Sequence, residues 1–223
     1  MLFAVASGAQ PVTKVSAGLY HSLFLKSDGS LWAMGYNHDG ELGDTSYNNT
    51  NFPELIVAGD VTAIGAGNVH SMFLQNDGSL WVMGNNQQGQ LGDGTYNNSC
   101  FPEPIESSNV LAIAGGGHHS LFLENDGSLW SMGYDYYGQL GDGTYNMSDL
   151  PEQIVSSNVT TIASGWYQSL FLKGDGSLWV MGDNSSGQLG DGSTNNNNLP
   201  EQIVASNVTA IAGGGYGIRW PAH

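Results

Sequence analysis

Apolar residues along this chain gather into short runs, four to a cycle, and the cycle returns every 49 residues without insertion or deletion, as the positions of Trp32, Trp81, Trp130 and Trp179 show. In the second cycle the runs lie at 61–64 (Val-Thr-Ala-Ile), 70–74 (His-Ser-Met-Phe-Leu), 80–83 (Leu-Trp-Val-Met) and 102–105 (Pro-Glu-Pro-Ile). Alternation and β-favouring residues predict a strand at each, here called A, B, C and D in order. The middle two rest on pattern, whereas A and D rest equally on their place in the cycle. B and C are joined by Asp28-Gly29, Asp77-Gly78, Asp126-Gly127 and Asp175-Gly176, and Asp-Gly between apolar runs predicts a tight hairpin with a positive φ. C and D are separated by a longer stretch rich in Gly, Asn and Asp, 84–101 in the second cycle, which predicts a structured surface loop with few core contacts.

A unit of 49 residues cannot bury a core by itself, so the units must stack. Four antiparallel strands in meander order form a propeller blade. The predicted fold is therefore all-β: a β-propeller of four four-stranded blades with partial strands at the termini, forming one repeat domain over residues 1–223. The A-to-A units fall at about 15–63, 64–112, 113–161 and 162–210, with partial units at 1–14 and 211–223. Strand A is matched five times, the last at 208–211, and each other strand four times; the closing Gly-Ile-Arg-Trp-Pro-Ala-His then abandons the pattern. Three closures stay open on this reading: part of a larger ring, a head-to-tail self-association of chains, or a tight ring of few blades. Exposed apolar end faces favour the first two over an open arc.

The family signal is carried by Ala-Gly-Gly-Gly-His-His-Ser-Leu-Phe-Leu (114–123), Asp-Gly-Ser-Leu-Trp-Ser-Met-Gly (126–133), Gly-Gln-Leu-Gly-Asp-Gly-Thr (138–144) and Pro-Glu-Gln-Ile-Val (151–155), with counterparts in every unit. In these elements the chain resembles the regulator of chromosome condensation repeat family, in the form of bacterial-type β-propeller repeats. One departure is that family repeats commonly place Trp directly before the Gly that closes strand C. Here Met34, Met83, Met132 and Met181 stand there, and Trp lies two residues earlier on the same strand face. The resemblance implies a propeller that works as a binding surface. The name-giving member is a nucleotide-exchange factor for the small GTPase Ran and binds chromatin, and a bacterial relative inhibits β-lactamases.

Charge narrows the partners. Four basic residues (Lys14, Lys26, Lys173 and Arg219) face 20 acidic ones, for a net charge of −16, which repels phosphate backbones and anionic membranes. Nucleic acid is disfavoured, no run reaches membrane-spanning length, and the expected partner is a basic or neutral protein. The apolar start, Met-Leu-Phe-Ala-Val-Ala-Ser-Gly-Ala, lacks the basic leader of a signal peptide. Low lysine and abundant Asn point to a secreted or cell-surface setting in a bacterium. Six Asn-x-Ser/Thr triplets follow from Asn-rich composition and locate nothing.

Several rows of residues invite a chemical reading. His21, His70, His119 and Gln168 share one position before strand B, and their recurrence predicts a shared local hydrogen bond rather than a metal or catalytic cluster. Asp44, Asp93, Asp142 and Asp191 lack calcium-loop spacing and predict turn caps. Glu54, Glu103, Glu152 and Glu201 read as a solvated row. Cys100 aligns with Asn51, Asp149 and Asn198, a polar variable position unlike that of a nucleophile. Without a nucleophile elbow, phosphate loop or unique acid–base pair, the chain reads as non-enzymatic, with no cofactor and no metal.

The informative residues break the repeat. A–B loops read Leu19-Tyr20, Asn68-Val69, Gly117-His118 and Trp166-Tyr167; the C–D loops begin Tyr36-Asn37-His38-Asp39, Asn85-Asn-Gln-Gln, Tyr134-Asp135-Tyr136-Tyr137 and Asp183-Asn-Ser-Ser. In a meander both loops leave the same edge of the blade, so Tyr20, Tyr36, His38, His118, Tyr134, Tyr136, Tyr137, Trp166 and Tyr167 should collect on one face. That predicts a non-catalytic scaffold binding a protein through one loop face, since Tyr and Trp dominate interface hot spots. The alternatives are a carbohydrate-binding module, in which the same rings stack on sugars, and a structural segment of a larger bacterial surface protein.

Overall fold

The computed structural model describes residues 10–214. The chain's opening residues and the closing Gly-Ile-Arg-Trp-Pro-Ala-His, on which two of the expectations above fall, lie outside them. Sixteen strands form four antiparallel sheets, each in simple sequence order. Blade 1 comprises β1 (Val12–Ala17), β2 (His21–Lys26), β3 (Leu31–Gly35) and β4 (Thr50–Val57). Blade 2 comprises β5 (Val61–Ala66), β6 (His70–Gln75), β7 (Leu80–Gly84) and β8 (Ser99–Glu106). Blade 3 comprises β9 (Val110–Gly115), β10 (His119–Glu124), β11 (Leu129–Gly133) and β12 (Ser148–Val155). Blade 4 comprises β13 (Val159–Ser164), β14 (Gln168–Lys173), β15 (Leu178–Gly182) and β16 (Asn197–Val204). The A strands β1, β5, β9 and β13 pack against one another in turn and form the inner edge.

Each Asp-Gly hairpin bends through a glycine of positive φ, 79° at Gly29 and 81° at Gly78. Asp28 keeps a negative φ, Gly29 N–H donates to Lys26 C=O at 3.0 Å, and Lys26 N–H donates to Ser30 C=O at 3.0 Å. The turn is thus a three-residue loop closed by a left-handed glycine. The Asp28 carboxylate accepts from Ser30 N–H at 3.0 Å and from its hydroxyl at 2.6 Å, which holds that acid below the usual carboxylate range.

The core lies between sheets, as stacking requires. The Leu-bearing face of blade 1 (Leu23, Leu25, Leu31, Ala33) meets Val61, Phe73 and Met83 of blade 2, and Leu42 of the C–D loop joins this core. The same arrangement recurs between blades 2 and 3 and between blades 3 and 4. The expectation of few core contacts from that loop is corrected: Leu42, Leu91 and Leu140 are fully buried, because the loop folds back over its blade and buries its one leucine. The Trp shift is explained here. Trp81 lies directly across from Phe73 and stacks on it, centroids 6.1 Å apart and 5° from parallel, while its indole N–H donates to Ser79 at 2.9 Å. The Met83 sulfur instead seats against Gly43 in the loop of the preceding blade, where a Cβ on Gly43 would collide with it.

Two expectations on strands are corrected. Strand D begins earlier than predicted, at Ser99 rather than 102 in blade 2. Pro102 and Pro104 lack the N–H of a central strand, but D is the outer edge, where proline is tolerated. The fifth A strand at 208–211 does not form. Val208 N–H still donates to Gly176 C=O at 3.0 Å, as Val61, Val110 and Val159 do to Gly29, Gly78 and Gly127. The segment takes the place of a strand, but a ladder requires a B strand after it, and the Ser-Leu-Phe-Leu run that would supply one is missing from the sequence.

Candidate functional site

The A–B and C–D loops leave the same edge of each blade and are tied there by backbone. Tyr36, Asn85, Tyr134 and Asp183 N–H groups donate to Tyr20, Val69, His118 and Tyr167 C=O, at 2.9, 2.9, 2.8 and 2.8 Å. The A–B loops also join along the array, Leu19 N–H to Asn68 C=O at 2.9 Å and Gly117 N–H to Trp166 C=O at 2.9 Å. The result is one continuous loop face. All nine residues singled out from the sequence stand on it.

They fall into two groups of rings. In blade 1, Tyr20 and Tyr36 have centroids 6.0 Å apart, and Tyr36 and His38 4.8 Å. Blade 2 carries Asn68, Val69 and the polar run at 85–88 instead. Across blades 3 and 4 the second group is continuous. Tyr134 lies 6.3, 6.2 and 5.8 Å from Tyr136, Tyr137 and Tyr167; Tyr137 lies 4.7 Å from Tyr167; Trp166 lies 6.1 Å from Tyr167; and His118 lies 6.3 Å from Tyr134. Burial pushes the Tyr134 phenol up and the His118 imidazole down, so both stay neutral at pH 7. Gly117 admits Trp166: a Cβ there would stand 2.7 Å from the indole Cδ1.

The loops beneath are built on a buried amide. Asn86 donates through Nδ2 to Asp93 at 2.9 Å and to Thr95 C=O at 3.0 Å, accepts from Leu91 N–H at 2.9 Å, and its own N–H donates to Asn98 at 2.9 Å. Asn37 and Asn184 repeat this with Asp44 and Asp191. The Asp row also caps its turn, Asp93 accepting from Thr95 N–H at 2.8 Å. Blade 3 departs twice, with Asp135 in place of the first Asn and Met147 in place of the second. Asp135 is fully buried, accepts from Leu140 N–H at 2.7 Å through Oδ1, and leaves Oδ2 without a partner. Burial, with Asp142 and Glu152 nearby, pushes its pKa up to about 7. Gln139 Nε2 is likewise unpartnered because Tyr134 stands where Asn85 receives Gln90 at 2.7 Å. Blade 3 thus leaves two buried polar atoms unpartnered where blades 2 and 4 leave none at these positions.

Three surface residues were missed by the sequence reading. Tyr96, Tyr145 and Met147, each about half exposed, flank Tyr134 and Tyr136 with Gln88 and Asn146 and line a groove of about 370 Å³ between blades 2 and 3. Tyr47, Tyr96 and Tyr145 recur in three of the four units, with Thr194 in the last, and they lie late in the C–D loop, beyond the loop starts at which the units were compared.

The buried histidines do not face this surface. His21 and His70 reach Ser71 and Ser120 of the following blade at 2.9 Å, and His119 reaches Ser169 at 3.0 Å. Each serine hydroxyl donates to a loop carbonyl (Glu41, Gln90, Gln139) at 2.7, 2.8 and 2.7 Å. The imidazole must therefore be the donor, protonated at Nε2. The histidines of the row do share one hydrogen bond, but it is not local as expected: each reaches a serine 50 residues on and joins successive blades. Burial lowers these pKa values to about 4 for His21 and about 3 for His70 and His119. Among the described residues no group of three or more His, Cys, Asp or Glu is arranged to hold a metal.

With blades, loops and edge in place, the class is an RCC1-type β-propeller. The family model of the RCC1-like domain matches residues 3–218, and the chain belongs to that family. A 40-residue stretch is 45% identical to the X-linked retinitis pigmentosa GTPase regulator homolog of Caenorhabditis elegans, covering 18% of this chain and 3% of that protein. Human WBSCR16 superimposes with a TM-score of 0.83 at 27% identity, over 93% of this chain and 56% of that one. Prp20p of Saccharomyces cerevisiae, described with its binding properties to Gsp1p and histones, superimposes with a TM-score of 0.82 at 24% identity, over 93% of this chain and 55% of that one. The chain therefore spans little more than half the length of these solved relatives.

Proposed function

We propose that this chain is a non-catalytic scaffold that binds a protein partner through the loop face, with Tyr134, Tyr136, Tyr137, Trp166 and Tyr167 at its centre and Tyr20, Tyr36, His38 and His118 around them. The observation that supports this reading most is the unbroken set of ring contacts across blades 3 and 4, with two polar atoms of the blade 3 loop, Asp135 Oδ2 and Gln139 Nε2, left unpartnered beneath it. Large rigid rings bury much area at little entropic loss, the chemistry of an interface anchor. The family's solved members point the same way, since Prp20p is described with protein partners.

Affinity capture from an extract of the source organism tests it, with quantitative mass spectrometry and three baits. A protein retained by the unsubstituted chain and by a chain altered at the opposite, Asp-Gly end, but reduced at least tenfold with Tyr134→Ala/Tyr136→Ala/Tyr137→Ala, is the expected outcome. Equal capture by all three baits would remove these tyrosines from the function.

A further inference from the structure

The charge on the loop face is one-sided. Lys26 and Lys173 end their B strands at the hairpin edge, where their ammonium groups sit 3.9 and 4.0 Å over the Trp32 and Trp179 rings. Lys14, on the inner strand of blade 1, donates to Thr62 C=O at 2.8 Å. These are all the lysines and arginines among the described residues, and none is on the loop face. That face holds Asp39, Asp44, Asp93, Asp142, Asp183 and Asp191, with no lysine or arginine of the described residues among them.

The groove between blades 2 and 3 is lined by Tyr96 and Tyr145, which follow Asp93 and Asp142 of this face by three residues. Tyr96, Tyr134, Tyr136 and Tyr145 line it, with Met147 and Gln88, and the Tyr134 and Tyr136 rings are 16° from parallel. Four electron-rich ring systems in an anionic surround attract a cation, and a guanidinium suits them better than an ammonium because it is planar, stacks on rings and is weakly hydrated. A sugar would also stack, but it would gain nothing from the charge. Resting on the reading of the loop face as a protein-binding surface, we infer that this groove receives an arginine side chain from a cationic segment of the partner, stacked on the tyrosines.

Selection of displayed random peptides on the immobilised chain tests this, with counter-selection on Tyr136→Ala/Tyr145→Ala, whose altered side chains are exposed and leave the core untouched. Peptides enriched in arginine and lost on the counter-bait support the inference. Peptides lost on the counter-bait but neutral or acidic overturn it while leaving the binding face standing. Peptides retained equally by both baits overturn the groove, and the tyrosines at 134 and 137 must then be tested by the capture experiment above. For an arginine peptide so selected, replacing the arginine by citrulline should weaken binding about tenfold, while Tyr136→Phe/Tyr145→Phe, which keeps the ring faces, should change it by less than about threefold. Equal binding of the citrulline peptide, or a loss with phenylalanine as large as with alanine, contradicts cation recognition by the rings.

Discussion

Asp135 shows how a single atom separates blade 3 from its neighbours. Where Asn37, Asn86 and Asn184 present an amide N–H to the capping aspartate, Asp135 presents a second carboxylate oxygen to Asp142, and burial raises its pKa to about 7. A carboxyl whose folded pKa lies above its unfolded value holds its proton longer in the native state, so its contribution to stability falls as pH rises from about 4 to about 7 and is flat above. Glu41, buried with Oε1 unpartnered and also raised to about 7, acts in the same direction. Asp135→Asn should restore the bond to Asp142 and stabilise the chain by about 1–3 kcal/mol at pH 8, with the gain shrinking to near zero by pH 4. Thermal melts of the two chains across that range check it; a gain independent of pH would assign the effect to something other than this proton. The Asn-to-Asp exchange is visible in the sequence. Its consequence is not, because the partner lies seven residues away across a loop whose shape no pattern of apolar positions encodes.

At the scale of the element, each blade is tied to the next by an imidazole. The serine that follows the histidine in strand B accepts from the preceding blade's His Nε2 and donates to the preceding C–D loop, so one hydroxyl joins two elements of its neighbour. These imidazoles are neutral when folded and titrate near their ordinary pKa when unfolded. For a base whose folded pKa is depressed, stability is retained above the unfolded value and lost as pH falls, here from about 6.5 toward 3 or 4. His70→Gln, the residue that blade 4 carries at Gln168, should retain a donor toward Ser120 and lessen the acid sensitivity by one group; His70→Ala, which strands a buried hydroxyl beside a cavity, should lose about 2–4 kcal/mol. Denaturant titrations at pH 7 and pH 5 separate the two, and equal losses at both pH values would rule out the titration. The histidine row and the Asp-Gly hairpins were legible because they recur with the period. Strand D was read short because its first residues, Ser99-Cys100-Phe101 in blade 2, follow a polar Asn-rich loop without a clear alternation, and the inter-blade direction of the histidine bond needed coordinates, since its partner stands 50 residues away.

Across the whole molecule, the lysines among the described residues lie toward the hairpin end, which also carries Asp28, Asp77, Asp126 and Asp175, and none lies on the loop face. Its two end faces also differ from the interfaces inside. Val12 is 52% exposed, whereas its equivalents Val61, Val110 and Val159 are 4%, 5% and 3% exposed, each covered by the blade before it. Side-by-side burial of identical faces was readable from the 49-residue period, as was the gathering of Tyr20, Tyr36 and the residues of blades 3 and 4 on one edge. The groove was not, because it depends on Met147 replacing an asparagine and on tyrosines that lie late in the C–D loop. The placement of function on the loop face is tested most directly by hydrogen–deuterium exchange of this chain, free and saturated with the protein recovered by affinity capture. Slowed exchange in 116–118, 134–137 and 165–168, with the hairpins at 28–29, 77–78, 126–127 and 175–176 unchanged, is the predicted result. Protection at those hairpins with the loop segments exchanging as in the free chain would contradict it.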